Sequence, residues 1–460
     1  MTNSLTTQQA RRLRRTVELC GRAHPYYRQK FSEWGLEPGD IRSPEDLASL
    51  PLTHKADYMA DPEAFRIRPE DLPSDVSTEE VVLWDVAYTT GTSSGRPTPF
   101  YNTTHDIYGV LDQARRCNEV EGIGPEDRIA NLYPLAGFPT GAFLSVFRSG
   151  MICGVPVIYG LTGSAHSEFR VRNSLEEALA LVERFRPTTL WGVPSFIRRF
   201  LLEAHGRGAG LSAVRLIITS GEPVSTPLRT EFKQRLRAMG AKSPKVLARF
   251  AFTEMQGGLV QCAEEAAPQN VVPDLYYLEV ADPETGRRLA DGESGLLAVT
   301  HLHRRGTVLL RYAGGDIVTL CRRPCPHCAH EGERVVTSPR RVSGLVKCRG
   351  MLVNPDVIVE TLSGLEGVGE FQVVFACEDR PGAMDELIVR VERGASPSSG
   401  RSPDGEEGAA ETLREGIVRR VREAVSIRPE VEFVPPGELY DPERSIKARR
   451  VVDLRPPAKD

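Results

Sequence analysis

The chain has 460 residues, too long for a single hydrophobic core, so we expect two or three domains. Hydrophobic residues make up 40% and charged residues 26%, which is ordinary for a globular protein. The formal net charge of −4 argues against nucleic acid as the main partner. No apolar run approaches the roughly 20 residues of a membrane span, and the N-terminus lacks the apolar core of a signal peptide. We therefore expect a cytoplasmic protein, with no membrane partner, whose nine cysteines are thiols or metal ligands rather than disulfides.

Strands alternate with helices over much of the chain. Residues 7–34 have apolar side chains at three- and four-residue spacing and predict one helix. Apolar runs such as "MICGVPVIYG", "AVRLIITSGEPVS" and "KVLARFAFTEMQGG" predict strands, and "SLEEALALVERFRP" predicts an amphipathic helix. This alternation is typical of a mainly parallel α/β core, in which ligands bind at the carboxyl ends of the strands. Gly221-Glu222-Pro223 and Thr253-Glu254 fall at such ends.

The character of the sequence changes twice toward the C-terminus. Residues 275–320 predict strands joined by tight turns, and we assign 275–335 to a β-rich subdomain with a cysteine cluster. From residue 341 a separate α+β unit begins, with strands in "EFQVVF", "DELIVRVE" and "VEFVPP" and a helix in "TLREGIVRRVREAVSI". Residues 394–411 are rich in Gly, Pro and Ser and predict disorder. The expected domains are 1–340 and 341–460.

A loop of hydroxyls and glycines at Tyr88–Pro99 is the first candidate for a ligand site. Its residues are small and permit close backbone approach: Thr89, Thr90, Gly91, Thr92, Ser93, Ser94 and Gly95. Such a loop can hold phosphate oxygens with backbone N–H groups and hydroxyls. It differs from the common P-loop, because Arg96-Pro97 follows where that motif has Lys and then Ser or Thr. A plain linker is the alternative that this stretch alone leaves open.

Seven segments in order resemble the adenylate-forming enzyme superfamily, and most of all its phenylacetate–CoA ligase branch. They are "YYRQKFSEWGLEPGDIRSPEDLASLPLTHKADY", the hydroxyl loop, "SGEPVS", "FAFTE", "RYAGGDIVTL", "RRVSGLVKCRGMLVNPDVIVETL" and "RSIKARRVVDLR". The resemblance covers most of the chain. It implies an α/β fold with a large N-terminal domain of mixed β-sheets and helices, followed by a small mobile α+β domain.

The resemblance also assigns roles to individual residues. Glu254 matches a carboxylate that bridges Mg²⁺, an ion that prefers carboxylate and phosphate oxygens. Asp316 and Arg341 match residues that contact the ribose, and Lys447 matches the catalytic lysine of the small domain. The implied nucleotide site also contains the hydroxyl loop together with Gly221, Glu222, Pro223, Phe250 and Thr253.

Three departures from the family pattern stand out. In the phosphate loop, Arg96 replaces the usual lysine and the glycines do not align cleanly. In the hinge region, Ser343-Gly344 stand where the family has two adjacent aspartates, which bears on how the small domain rotates. In the Tyr-Gly-x-Thr-Glu motif, Phe250-Ala251 replace Tyr and Gly, and an aromatic ring there can still stack on adenine.

A separate cluster of cysteines predicts a metal site. Cys321, Cys325 and Cys328 form a C-x3-C-x2-C pattern, and Cys262 lies just after the Thr-Glu motif. Three or four thiolates in a reducing compartment are typical of a tetrahedral, structural Zn²⁺. The fourth ligand is left open between Cys262 and a histidine, and buried free thiols are the alternative.

The expected reaction is ATP- and Mg²⁺-dependent activation of a small, aryl acid as its adenylate, followed by transfer to CoA. Tyr133, Phe138 and Trp191 are the expected walls of the acid pocket, or else core residues. Two alternatives stay open: an adenylate-forming enzyme with an amine, a carrier thiol or an inorganic nitrogen species as acceptor, and a non-catalytic nucleotide-binding relative. The expected partners are therefore small molecules, and a homodimer is an assembly that the sequence leaves open.

Overall fold

The computed structural model describes residues 2–89, 97–136, 138–163, 172–341, 346–349, 351–377, 385–393, 403–442, 445 and 447–455. Most of the hydroxyl loop, from Thr90 to Arg96, lies outside these ranges, as does the hinge pair Ser343-Gly344. The helices are α1 (Thr2–Ala23), α2 (Pro25–Trp34), α3 (Lys55–Ala60), α4 (Thr104–Glu121), α5 (Gly141–Cys153), α6 (Leu175–Phe185), α7 (Pro194–Gly206), α8 (Thr226–Ala238), α9 (Pro355–Ser363) and α10 (Pro403–Val425).

The strands between these helices pair with one another to form several sheets. They are β1 (Thr53–His54), β2 (Leu83–Tyr88), β3 (Pro99–Thr103), β4 (Ile129–Asn131), β5 (Val157–Tyr159), β6 (Thr189–Gly192), β7 (Leu216–Ser220), β8 (Lys245–Phe252), β9 (Gly257–Val260), β10 (Tyr276–Ala281), β11 (Ser294–His301), β12 (Tyr312–Cys321), β13 (Arg334–Val335), β14 (Arg340–Arg341), β15 (Val346–Cys348), β16 (Met351–Val353), β17 (Val368–Cys377), β18 (Asp385–Arg393), β19 (Glu430–Val434) and β20 (Val451–Asp453).

The predicted helix over residues 7–34 is two helices. The break falls at His24, which has extended backbone angles and whose ring accepts a hydrogen bond from the backbone N–H of Tyr27 at 3.2 Å. Pro25 then begins α2, a position that suits a residue without a backbone N–H. The single-helix prediction was wrong because the apolar spacing continues across this proline.

The centre of the molecule is a six-stranded sheet in the order β5-β4-β6-β7-β8-β9, parallel except for β9. This confirms the predicted α/β core. The stretch "MICGVPVIYG" contributes less strand than predicted, because Met151–Cys153 end α5 and only Val157–Tyr159 pair in the sheet. Gly154, in the left-handed conformation, separates the two elements.

A second sheet of six strands lies beside the first and is mostly antiparallel, with β10, β11 and β12 side by side and β1, β13 and β14 on β12. It corresponds to the predicted β-rich segment. Its strand β12 starts at Tyr312 and carries Asp316 midway. The apolar core of this region is continuous with Met255 and Leu259, which follow β8, so the two sheets share one packed interface.

A four-stranded sheet, β19-β18-β17-β20, packs with α9 and α10 near the C-terminus. All members of its hydrophobic cluster lie beyond Arg341, from Val346 to Val451. The prediction of disorder over 394–411 was wrong for its second half, because α10 already begins at Pro403. A proline at the first position of a helix starts it well, and the glutamates and alanines after it favour helix. Among the described residues, no helix is both long and apolar enough to cross a membrane.

Candidate active site

A cavity of about 630 Å³ opens at the carboxyl ends of the parallel strands. It lies where the central sheet, the second sheet and the C-terminal unit meet. Residues directly after β6, β7 and β8 contribute to it, as expected for ligand sites in parallel sheets. Nine of the sequence-predicted site residues line it together: Thr89, Tyr133, Trp191, Gly221, Thr253, Glu254, Asp316, Arg341 and Lys447.

Glu254 lies in a short 3₁₀ turn, Thr253–Met255, that follows β8 directly. The residue is 7% exposed, and the hydroxyl of Tyr312 donates to its Oε1 at 2.8 Å. The Nδ1 of His301 accepts from the N–H of Leu309, so its Nε2 carries the proton and donates to the Glu254 carbonyl at 2.8 Å. Side chain and backbone are thus held from β11 and β12, and a carboxylate of this kind suits a divalent cation.

Asp316 and Arg341 form an ion pair across neighbouring strands of the second sheet. Arg341 Nε lies 3.1 Å from Asp316 Oδ1, and the residues are paired in register between β12 and β14. Burial raises the pKa of Asp316, although the cation of Arg341 works in the opposite direction. Gly315, with φ of +94°, turns the backbone just before Asp316 in a conformation that a larger residue rarely adopts.

Lys447 reaches the cavity from the C-terminal unit. Its Nζ donates to the carbonyl of Gly221 at 3.0 Å, and the next backbone N–H, of Ala448, donates to Glu222 Oε1 at 3.1 Å. Gly221 has a φ of +86°, and a Cβ built on it would lie 3.1 Å from Lys447 Nζ. Burial lowers the pKa of Lys447, and the nearby carboxylate of Glu222 opposes this. The lysine therefore enters a space that depends on a glycine at position 221.

Two of the three expected acid-pocket residues form walls of the cavity. Tyr133 and Trp191 are buried, and the Tyr133 hydroxyl lies 2.5 Å from Ser220 Oγ. Burial raises the pKa of Tyr133 to about 12, so its hydroxyl stays neutral. Phe138 is half-buried and is not part of the cavity wall; its ring packs 5.7 Å from that of Tyr88, which is part of it.

Three of the expected nucleotide-binding residues lie off the cavity wall. Phe250 packs into the core between the sheets, with its ring 5.9 Å from that of Phe252. Phe252 is the aromatic residue of this strand that reaches the cavity. Pro223 is exposed, and Glu222 is occupied by Ser195, whose N–H and Oγ donate to its carboxylate at 3.0 and 2.9 Å.

Several cavity residues were missed from the sequence, among them Lys55, Arg249, Gln256 and Tyr312. Arg249 gave a visible signal, because a charged residue interrupts the apolar strand "KVLARFAF". Tyr312 stands within the quoted "RYAGGD" motif. Lys55 also stands within a quoted segment, which ends in "LTHKADY", whereas Gln256 gave no such signal, since polar residues in turns are common.

Three of the four predicted zinc ligands come together away from the cavity. The sulfurs of Cys262, Cys325 and Cys328 all lie within 4.8 Å of one another, and those of Cys262 and Cys325 are 3.8 Å apart. The assignment of Cys321 is corrected, because it lies outside this group. Cys321 ends β12, where it pairs with Arg334 of β13, and its sulfur accepts from Arg334 Nη2 at 3.3 Å.

Comparison with known proteins identifies the family. Residues 48–303 match the family model of AMP-binding enzymes, and residues 350–455 match that of the AMP-binding enzyme C-terminal domain. The chain belongs to the AMP-binding enzyme family. It is 28% identical to the phenylacetate-coenzyme A ligase of Thermus thermophilus over 98% of this chain and 97% of that protein. It is 27% identical to the Escherichia coli ligase of the same name, over 98% and 95% of the two chains. The predicted resemblance to the phenylacetate–CoA ligase branch is confirmed, and these relatives support the predicted class, an AMP-forming acid–CoA ligase.

Solved structures of 2-hydroxyisobutyryl-CoA ligase have the same fold. One in a postadenylation state aligns with a TM-score of 0.77 and 23% identity, over 97% of this chain and 89% of that one. One in complex with CoA in a thioesterification state aligns with a TM-score of 0.60 and 24% identity, over 99% and 91%. The predicted fold, a large N-terminal domain followed by a smaller C-terminal one, is confirmed.

Proposed function

We propose that this enzyme activates a small aryl carboxylic acid with ATP and then transfers the acyl group to CoA. In the first half-reaction a carboxylate oxygen attacks the α-phosphorus of ATP, giving an acyl-adenylate and pyrophosphate. In the second, the CoA sulfur replaces AMP at the acyl carbon and loses its proton. The observation that carries the proposal is the meeting of Lys447, from the part we assign to 341–460, with Glu254 and Asp316 in one cavity.

Different residues of the cavity would contact different parts of the substrates. Asp316 and Arg341 form the end that would hold the ribose hydroxyls, since a carboxylate accepts their hydrogen bonds. Tyr133 and Trp191 form the apolar end, which suits a flat ring. Lys447, whose Nζ contacts Gly221 next to the Ser220 that touches Tyr133, would stabilise the negative charge that develops as carboxylate and phosphate approach. Such stabilisation raises the rate because it is strongest in the transition state.

Mg²⁺ fits the chemistry of Glu254. Its carboxylate lines the cavity, and only one of its oxygens has a described hydrogen bond, from Tyr312. Glu254 would hold the ion, and the ion would supply charge neutralisation for the phosphates. The turn Thr253–Met255 and the hydrogen bond from Tyr312 fix the place of the Glu254 carboxylate, and so the place where the ion would bind.

A structural Zn²⁺ fits the group Cys262, Cys325 and Cys328. A tetrahedral zinc with bonds of about 2.3 Å places its sulfur ligands about 3.8 Å apart. The Cys262–Cys325 separation of 3.8 Å agrees with this. Zinc held here would join the turn after β9 to the loop after β12. Glu254 comes shortly before β9 in the sequence, and Asp316 lies on β12.

The test of the proposed function is ATP–pyrophosphate exchange with a panel of benzoates, phenylacetates and small aliphatic acids. We expect exchange to depend on an aryl acid and on Mg²⁺, and acyl-CoA to appear by mass spectrometry once CoA is added. Exchange without a thioester, and without faster AMP release, would favour a non-CoA acceptor. An absence of exchange with every acid would favour the non-catalytic relative. A cytoplasmic location, the exclusion of nucleic acid and membrane as partners, and a homodimer remain predictions.

A further inference from the structure

Arg249 places a buried cation at the acid end of the cavity. Its backbone is paired in register with Ser220, one residue before the Gly221 that contacts Lys447. Side chains alternate along β8, so Arg249 and Ala251, which both line the cavity, lie on the face opposite to Phe250. The Arg249 side chain is only 5% exposed, and the residue lines the cavity.

Most of the guanidinium of Arg249 is held by protein groups. Its Nε donates to Glu121 Oε1 at 2.6 Å, and its Nη2 donates to Glu121 Oε2 and, at 3.5 Å, to Asn118 Oδ1. The guanidinium carbon lies 4.2 Å from the centre of the Trp191 ring, so the group rests on this wall of the cavity. Burial disfavours the charge, but the Glu121 carboxylate outweighs it and holds the pKa of Arg249 above its ordinary value.

One nitrogen of this group remains for a ligand. Within the described part of the chain, Nη1 of Arg249 has no hydrogen-bond partner, whereas both other nitrogens do. A buried ion pair is costly to build, and an apolar pair of similar size is often as stable. The stability of the core therefore gives little reason for a cation at position 249. The binding of a ligand in the cavity that Arg249 lines does give such a reason.

We infer that Arg249 determines substrate specificity, by donating from Nη1 to an uncharged oxygen carried on the ring of the acid. The substrate class is then an aryl acid with a hydroxyl, alkoxy or carbonyl substituent, bound between Tyr133 and Trp191. A second carboxylate is disfavoured, because Glu121 already neutralises the guanidinium and a further buried anion would lack a partner. This inference rests on the proposed function for the identity of the acid site.

The test measures acid binding separately from chemistry. Isothermal titration of the full chain, with Mg²⁺ and a non-hydrolysable α,β-methylene ATP, uses benzoate, phenylacetate and their hydroxy, methoxy, acetyl and carboxy derivatives at each ring position. We expect at least one series of uncharged oxygen-bearing acids to bind roughly tenfold or more tightly than its parent, as for a hydrogen bond to a charged group. Because Arg249→Met alone would leave Glu121 buried and unpaired, the main variant is Arg249→Met with Glu121→Leu.

The double variant should bring the affinity ratio between substituted and parent acid to within about threefold. Arg249→Lys keeps the charge but loses the planar guanidinium with its fixed donors, so it should also reduce the ratio. This variant provides the test if the double variant does not fold. Exposed Arg237→Met on α8 should leave the ratio unchanged. The inference is overturned if no substituted acid binds more than threefold better than its parent, if a dicarboxylate binds best, or if both pocket variants keep the wild-type ratio. If substituted acids bind better than their parents but no ATP–pyrophosphate exchange occurs, the proposed enzyme is refuted but the role of Arg249 is not. If exchange occurs but substituted acids bind no better, the role of Arg249 is refuted but the proposed enzyme is not.

Discussion

The two sides of the cavity are built differently. On the large-domain side, Glu254 is buried and held at both its side chain and its backbone, and Tyr133 is buried against Ser220. On the other side, Lys447 is described with one side-chain hydrogen bond, to a backbone carbonyl of the opposite domain. One side is thus rigid before any ligand binds, and the other is complete only when the C-terminal unit is in place. Domain position can therefore control the reaction without any rearrangement of the large-domain residues.

Charged side chains form several of the described contacts between the two parts. Arg198 of α7 lies 3.9 Å from Glu392 of β18, and both side chains are buried. Glu222, which the sequence assigned to the nucleotide, instead joins the start of α7 to Ala448. Polar groups of this kind can bind water instead of one another, so such contacts are compatible with separation of the two units.

The largest effect should come from the side that the C-terminal unit completes. Lys447→Ala should lower the rate of adenylation by about 10³-fold, because the charge acts mainly in the transition state. ATP affinity should change much less, since Asp316 and Arg341 are unaffected. The measurements are single-turnover acyl-adenylate formation and ATP binding by calorimetry.

The matched control for this variant is Arg449→Ala, which removes an exposed cation two residues away. It should leave adenylation within about twofold of the wild-type rate. If Lys447→Ala retained activity within about tenfold, equivalent to ~1.4 kcal/mol, the catalytic role of the lysine would be wrong.

The next effect concerns the rigidity of the large-domain side. Cys325→Ser should remove close to one zinc per chain and lower the thermal midpoint by about 5 °C or more, since structural metal binding contributes to folding. Cys321→Ser is the control that the structure supplies, because Cys321 lies outside the sulfur group. Elemental analysis of protein purified without chelators, together with calorimetry, measures both. Equal metal loss in the two variants would contradict the assignment, as would wild-type protein without metal.

The sequence predicted which motifs meet better than it predicted which side chains face the site. Glu254, Asp316 and Lys447 each belong to a motif, and parallel-sheet topology accounts for the position of Glu254 directly after β8. Which residue of a strand reaches the cavity is a finer property. Phe250 fitted the motif, but it packs against the core, and Phe252 lines the cavity instead.

The remaining errors have similar local causes. Cys321 fitted the spacing of a zinc motif, yet it is still part of β12, so its position follows the strand rather than the loop of Cys325. Glu222 and Arg198 form contacts between distant parts of the chain, and nothing in their neighbouring residues marks the partner. Relations of this kind depend on tertiary structure and could not be predicted from motif and spacing.

A smaller effect is expected at the interface itself, as a dependence on pH. Burial raises the pKa of Glu370 to about 7, although the nearby cation of Arg450 opposes it, and Glu222 and Glu392 add negative charge while Arg198 adds positive charge. A carboxyl whose pKa is raised on folding contributes stability below its unfolded pKa, and this is lost as pH rises through about 7. Stability should therefore fall between pH ~5 and ~8 by on the order of 2 kcal/mol.

Glu370→Gln tests this pH dependence, because the amide cannot ionise. Thermal or urea unfolding across the same range should then show a flatter profile for the variant. Glu366→Gln, on the same unit, is the control for a general loss of one carboxylate. A slope that Glu370→Gln leaves unchanged would mean that other groups, not this carboxyl, respond to pH.

The smallest effect should come from a change of charge on the side that is already rigid. Glu254→Gln preserves size, and its amide oxygen can still accept from Tyr312, so the turn should keep its geometry. What is lost is the negative charge available to Mg²⁺, and the Mg²⁺ concentration for half-maximal exchange should rise about tenfold, or ~1.4 kcal/mol. Exposed Glu265→Gln provides a control with the same chemical change. Exchange rates titrated with Mg²⁺ at saturating ATP make the measurement, and an unchanged midpoint would show that Glu254 does not hold the ion. Because geometry is preserved, a shift in the midpoint with little change in thermal stability separates metal binding from folding. That result would show that the charge of Glu254 acts in binding the metal ion, whereas the charge of Lys447 acts in stabilising the transition state.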